Sequence, residues 1–265
     1  MEKSYRVRSL TRGLRLLSAL NARGSASLAQ LVQDTGLAKP TAFRLLRTLL
    51  EEEYISKDDD TDAYRPAPRT CSLSSGFEEN AWLVEHTRSE LVTLGEHLVW
   101  PLSVCTLAGS RVLVRDNTDS TSPLSVRQLA PGMTLPILGS ASGHVLLAYS
   151  SARDREQILS VLRASRDTCD LLARDTAAVK KTLSDVAQLG YSSVRVSRMV
   201  SELEVIAVPI WVNDYAIAAL AVRFSAAAVP GQDIQDKFLP AMRDCAGRIG
   251  SAIANDERAS PVPAR

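Results

Sequence analysis

SLAQLVQDTGLAKPTAFRLLRTLLEEEY, residues 27–54, reads as two short amphipathic helices interrupted at Gly36. In the first, Leu28, Leu31 and Val32 recur at helical spacing, and Gly36 supplies the tight turn that a helix-turn-helix needs. The second opens at Pro40, where a missing N–H has no intrahelical partner to lose. Phe43, Leu46, Leu49 and Leu50 are expected to form its buried stripe. Lys39, Pro40, Thr41, Arg44 and Arg47 then make up the outward set. Cations and a hydroxyl at the start of such a helix suit phosphate oxygens and guanine edges. The plainer reading, an ordinary helix pair whose arginines only solvate a surface, stands beside it.

Charge separates the two. Residues 1–50 hold nine Lys/Arg and two acids, a net charge of +7, whereas the whole chain nets only +1. One end of the molecule therefore suits a polyanion and the rest does not. Residues 54–57 and 63–65 read as two short strands around the acidic tip 58–62, which would form a wing in which Lys57 or Arg65 touches backbone phosphates. The aspartates at the tip oppose deep insertion into a groove, so the wing is expected to be mainly structural. A helix over 9–20 directs Leu10, Leu14, Leu16, Leu17 and Leu20 to the same core. Its Arg12 and Arg15 are either phosphate contacts or solvated.

The 265 residues allow one small and one larger domain, and 45% hydrophobic residues can fill both cores. No apolar run approaches the ~20 residues that cross a bilayer, and the N-terminus is charged where a signal peptide would be apolar. No membrane partner and a cytoplasmic location are expected. Cys71, Cys105, Cys169 and Cys245 lie far apart without CxxC pairing, which fits reduced thiols. His86, His97 and His144 stand in no metal-ligand spacing, and GxSxG, Walker and GxGxxG motifs are absent. Neither a metal, a cofactor nor catalysis is expected.

Pro66-Ala67-Pro68 and the polar 72–76 segment end the first domain. A helix over 80–98 follows, with Trp82, Leu83, Leu91, Leu94 and Leu98 on recurring turns. From Leu102 the period changes to alternation: 102–107 and 111–115 form a hairpin about Gly109-Ser110, and 124–129 is expected as a third strand. Helices at 142–149, 152–163 and 175–189, the last closed by Gly190, precede strands at 191–196, 203–212 and 217–224 and a final helix over 234–254. This predicts an antiparallel sheet with helices packed on it, an α+β arrangement. In LPILGSASG, residues 135–143, small residues at a helix start could present backbone N–H groups to an anion. Equally, Gly and Ser there could only cap the helix and allow close packing.

RSLTRGLRLLSALN at 8–21, the helix-turn-helix at 27–55, and the ASG, LGY and IAVPI pieces together resemble the IclR family of bacterial transcriptional regulators over nearly the whole chain. Residues 7–13, Trp100-Pro101 and 141–143 further resemble the branch that activates hydroxyphenylpropionate and related aromatic-acid catabolism. The resemblance implies a winged helix-turn-helix domain over 1–70, a linker helix over 71–98 and a GAF-like effector domain over 99–255; the two prolines and scattered charges of 256–265 predict a disordered tail. It implies a double-stranded DNA operator, a small carboxylate effector, and a homodimer or dimer of dimers. Carried over residue by residue, the effector pocket holds Trp100, Leu135, Ala141, Ser142, Gly143, Leu203, Val205, Ala221 and Arg223. The family often has serine where Ala221 and Arg223 stand, and residues 197–202 replace its acid-Gly pair. Arg223 pointing inward would grip a carboxylate; pointing outward it is a surface cation. Trp100 would stack on an aromatic effector or belong to a core.

Overall fold

Capping sets the first helices. In the computed structural model, which describes residues 7–58, 60–73, 81–125, 129–197, 202–229 and 231–256, the chain divides into two units, residues 1–79 and 80–265. The first unit contains α1 (Arg8–Arg23), α2 (Leu28–Thr35) and α3 (Lys39–Glu51). Ser27 and Gln30 form a reciprocal capping box at the start of α2, and Gly36 ends it in the left-handed conformation. Two strands, β1 (Ile55–Lys57) and β2 (Tyr64–Pro66), pair antiparallel as the wing. An isolated bridge joins Tyr64 to Ala26 and ties the wing to the α1–α2 turn. Leu16, Leu17, Leu20, Leu31, Ala42, Leu46, Ile55 and Tyr64 fill this core.

Two parts of the expected stripe face elsewhere. Leu10 and Leu14 are exposed and, with Leu45 and Leu49, line an open groove between α1 and α3. Phe43 is also exposed. The physical reason is that Ala42 and Leu46 mark the side of α3 that packs inward, and at 100° per residue Phe43 projects well away from it.

The second unit is an α+β domain with a curled antiparallel sheet. It runs α4 (Ala81–Leu98), β3 (Leu102–Ala108), β4 (Arg111–Asn117), β5 (Thr134–Pro136), α5 (Ala141–Ala148), α6 (Ala152–Ala164) and α7 (Thr176–Leu189). Then come β6 (Ser192–Ser197), β7 (Glu202–Val212), β8 (Tyr215–Ser225), α8 (Gly231–Asp233) and, after a π turn, α9 (Leu239–Ala254). The six strands lie in the order β5-β4-β3-β8-β7-β6, each neighbour antiparallel. Asn213 and Asp214, both at positive φ, make the two-residue turn between β7 and β8.

Both faces of the sheet are covered, which explains the almost unbroken apolar runs of β7 and β8. On one face Ile206, Val208, Ile210, Leu220, Val222 and Phe224 pack with α4 and α9. On the other, Cys105, Val112, Val114, Ala207, Ala219 and Ala221 pack beneath α5 and its neighbours. The expected strand over 124–129 is not the third strand of this edge. Leu124 stands in a turn and 126–128 fall outside the described residues; the edge is completed by β5, where Pro136 costs no ladder bond toward a further strand. Of the expected tail, 257–265 likewise fall outside the described residues.

Candidate functional site

In the first unit the outward strip of α3 carries Lys39, Pro40, Phe43, Arg44 and Arg47, all exposed, with Thr41 half-buried at its edge. Arg47 Nε donates to Glu51 Oε1 at 3.2 Å, an exposed i,i+4 pair. Neither Lys39 nor Arg44 is ion-paired among the described residues. Arg12, on α1, is exposed and borders the α1–α3 groove beside Arg44. The wing cations are tied to the wing's own acids: Lys57 to Asp62, with its ammonium also 5.8 Å over the Tyr64 ring, and Arg65 to Asp58 at 3.3 Å. A phosphate would have to displace a carboxylate there, so α3 rather than the wing presents the freer positive charge.

In the second unit the sheet register brings most of the expected pocket residues onto one face. Val205 stands opposite Arg223, Ala207 opposite Ala221, and Ala221 opposite Ser103. Leu135, Ala141, Val205 and Ala221 share the apolar cluster on that face. Leu203, two residues before Val205, alternates to the same side and pairs with Ser225. Trp100 is the exception, and corrects the stacking expectation. It packs against the opposite core, its ring edge-on to Phe224 at 6.3 Å, because Phe224 points to the α4–α9 side.

Arg223 is neither a free inward cation nor a surface one. Its Nη2 donates to Asp119 Oδ1, with the two side chains 12% and 2% exposed. Ser125 Oγ donates to the same Asp119 oxygen at 2.8 Å, and Asn117 Oδ1 accepts from the Asp119 N–H at 2.9 Å. Asp119 Oδ2 and Arg223 Nη1 are buried without a hydrogen-bond partner among the described residues. Cys105, fully buried, lies nearby; burial pushes its thiol up, against the pull of Ser142, Ser103 and Arg223. A polar cluster of Ser103, Cys105, Ser142, Asp119 and Arg223 therefore sits inside an apolar face. Asp119, Asn117 and Ser103 were missed in the sequence because nothing local marks them: Asp119 and Arg223 lie 104 residues apart.

At the start of α5, Ser140 Oγ accepts from the Gly143 N–H at 3.2 Å and donates to Pro136 O at 2.8 Å. Gly143 sits against the Ile137 backbone, where a Cβ has no room. Capping and close packing, one of the two readings of this passage, are thus both present. His144 follows, its Nε2 2.9 Å from Leu138 O and its Nδ1 3.1 Å from Ser192 Oγ. A carbonyl only accepts, so Nε2 carries the proton and Nδ1 accepts from the serine. Burial holds the imidazole below its ordinary value of 6.5, the Leu138 contact opposing weakly. The neutral ring is what the fold accommodates, so its contribution is intact above the unfolded value and is lost as pH falls through it. The urea midpoint should fall between pH 7.5 and 5.5, and by less in His144→Gln; equal falls in both proteins would contradict this.

Two family models match the chain: the IclR helix-turn-helix domain over residues 9–59 and the bacterial transcriptional regulator IclR C-terminal over residues 71–251. The HTH-type transcriptional regulator BhcR of Paracoccus denitrificans is 27% identical over 191 residues, covering 72% of this chain and 68% of the relative. The crystal structure of the Thermotoga maritima IclR is 15% identical, with a TM-score of 0.64 over 94% of this chain and 100% of that one. An IclR homolog from Microbacterium hydrocarbonoxydans, solved in complex with 4-hydroxybenzoate, is 20% identical, with a TM-score of 0.60 over 92% of this chain and 98% of that one.

Proposed function

Because the chain belongs to the IclR family of bacterial transcriptional regulators, we propose that a small aromatic carboxylate controls its operator binding or its activation of transcription. The chain is a DNA-binding regulator and not an enzyme; effector control is the further step. The observation that carries it is the buried Arg223 guanidinium, set among Ser103, Ser142 and Asp119 on the sheet face beneath α5. A guanidinium pairs bidentately with a carboxylate. An effector carboxylate would accept from Arg223 Nη1, which has no hydrogen-bond partner among the described residues, while Nη2 keeps its ion pair with Asp119, so that neither buried charge is left bare. The 4-hydroxybenzoate complex of a fold relative supports an aromatic acid, as does the resemblance to regulators of hydroxyphenylpropionate catabolism.

On the DNA side, α3 enters the major groove with Lys39, Pro40, Thr41, Arg44 and Arg47 as contacts, while Arg12, Lys57 and Arg65 serve the backbone. The protein acts as a homodimer or dimer of dimers. One helix reads few base pairs, and a two-fold pair of winged domains meets half-sites a helical turn, or multiples of it, apart. Arg44→Ala is expected to weaken operator binding by about 1–3 kcal/mol. Arg47→Ala should cost less, since Glu51 already occupies its guanidinium.

A second reading, a DNA-binding dimer without a small-molecule sensor, is favoured by one observation: Asp119 already neutralises Arg223. Fluorescence anisotropy of the full chain on labelled duplex from its own upstream region, at several salt concentrations and with a panel of aromatic carboxylates, separates the two. The expected result is selective, salt-sensitive binding that one carboxylate shifts by roughly fivefold or more. Selective binding that no carboxylate shifts selects the sensorless dimer.

A further inference from the structure

Phe43 is the one large apolar side chain that α3 turns fully outward, at 49% exposure. Leu45, Leu49 and Leu50 of the same helix are half-buried, and Ala42 and Leu46 are buried. Helical geometry puts Phe43 on one strip with Lys39 four residues before it, Pro40 three before and Arg47 four after. It is the fifth residue of the helix, roughly 6 Å along the axis from its start, in the half that a reading helix presents to base edges. Single exposed hydrophobics on ordinary surfaces need no explanation. This one has Lys39 and Arg47 on its own strip and Arg44 beside it, in the most basic part of the chain, on a face whose charge complements a polyanion.

A ring within that strip cannot hydrogen-bond phosphate or base edge. The apolar group that the major-groove edge of a base pair offers is the C5-methyl of thymine, and phenylalanine is among the side chains that meet it. The flanking cations suit phosphate oxygens and guanine edges and offer a methyl group no apolar surface, so the ring is the group on this strip suited to distinguish thymine from cytosine. We infer that Phe43 is a specificity-determining residue that packs against the C5-methyl group of a thymine in each operator half-site. The inference rests on α3 entering the major groove.

The test removes the methyl from the DNA and the ring from the protein. Duplexes are selected from a random-sequence pool with the full chain, and each thymine of the best site is then replaced singly by deoxyuridine, which leaves base pairing and charge unchanged. For the wild-type protein, deoxyuridine at one thymine position per half-site should weaken binding roughly fourfold, the equivalent of one methyl group kept from water. Phe43→Ala should bind the selected site about tenfold more weakly and show no further loss with deoxyuridine at that position. Phe43→Leu, which keeps an apolar contact, should fall between. Because the side chain is exposed, the circular dichroism of both variants should match the wild type. Selective wild-type binding with no sensitive thymine, or a deoxyuridine effect that persists in Phe43→Ala, overturns the assignment while leaving α3 as the reader. Failure of the wild-type chain to select any duplex, or Arg44→Ala selecting as well as wild type, removes the groove placement and the inference with it. A Phe43→Ala protein that binds DNA normally but changes its association state assigns the ring to protein contact instead.

Discussion

Replacing Arg223 by methionine lowers the unfolding free energy of the second unit by about 3–5 kcal/mol, as removing one partner of a buried ion pair does. The partner left behind is Asp119, 2% exposed, with one oxygen already lacking a hydrogen-bond partner among the described residues. Water cannot compensate it, and Ser125 and the backbone N–H of Asp119, bonded to Asn117, provide no positive charge. The paired substitution Asp119→Leu with Arg223→Met removes both charges from the apolar face and should recover most of the loss. Urea unfolding of the four proteins gives the coupling as a double-mutant cycle. A loss below about 1 kcal/mol for Arg223→Met alone would mean that the pair is wetter than its exposure implies.

Gly143→Ala produces the second large effect. The added Cβ would meet the Ile137 carbonyl oxygen in a clash and lie 2.7 Å from the Ile137 carbonyl carbon and Cα. These are backbone atoms, so no rotamer change relieves the overlap, and α5 has to move. That helix is buried at Ala141, Ser142, Val145, Leu146 and Leu147, and a shift disturbs its whole interface. A loss of about 3 kcal/mol or more is expected, at the upper end of overpacking. Ala141 and Ser142 would move too, so effector response should fail along with stability. Gly247→Ala is the matched control. It lies on the exposed side of α9 with nothing within 4 Å of its added Cβ, and should stabilise by about 0.5–1 kcal/mol through helix propensity. Similar midpoints for the two variants would show that α5 yields to the methyl group.

Much of the first unit was legible because its signals are local. The capping box of Ser27 and Gln30, the turn at Gly36 and the proline in the first turn of α3 act within a few residues, and the helix boundaries follow from them. The leucine stripes were legible as periodicity, but not how wide a sector of each helix the small domain covers. Leu10, Leu14 and Phe43 fell on the wrong side for that reason. Apolar spacing says which residues share a face, and only the packed neighbours say where that face ends.

The second unit shows the same division at longer range. Alternation located β3, β4 and the three later strands, yet it also suggested a strand over 124–129, while the three-residue β5 with its proline carried too weak a pattern to compete. Which side chains of β7 and β8 share a face follows from the period of two. Which of the two faces lies under α5, and which under α4 and α9, depends on helices remote in sequence, and this removed Trp100 from the pocket set.

By itself the sequence determined the helix-turn-helix, the basic end that suits DNA, the antiparallel sheet with its helices and the family resemblance. These rest on short-range periodicity, turn chemistry and net charge, which do not depend on how the layers pack. The tertiary structure alone decided that Phe43 faces outward, that Gly143 lies against the Ile137 backbone and that Arg223 is buried against Asp119. Such contacts join residues distant along the chain, and their energies come from exclusion of water and steric fit, which exist only once the layers have packed.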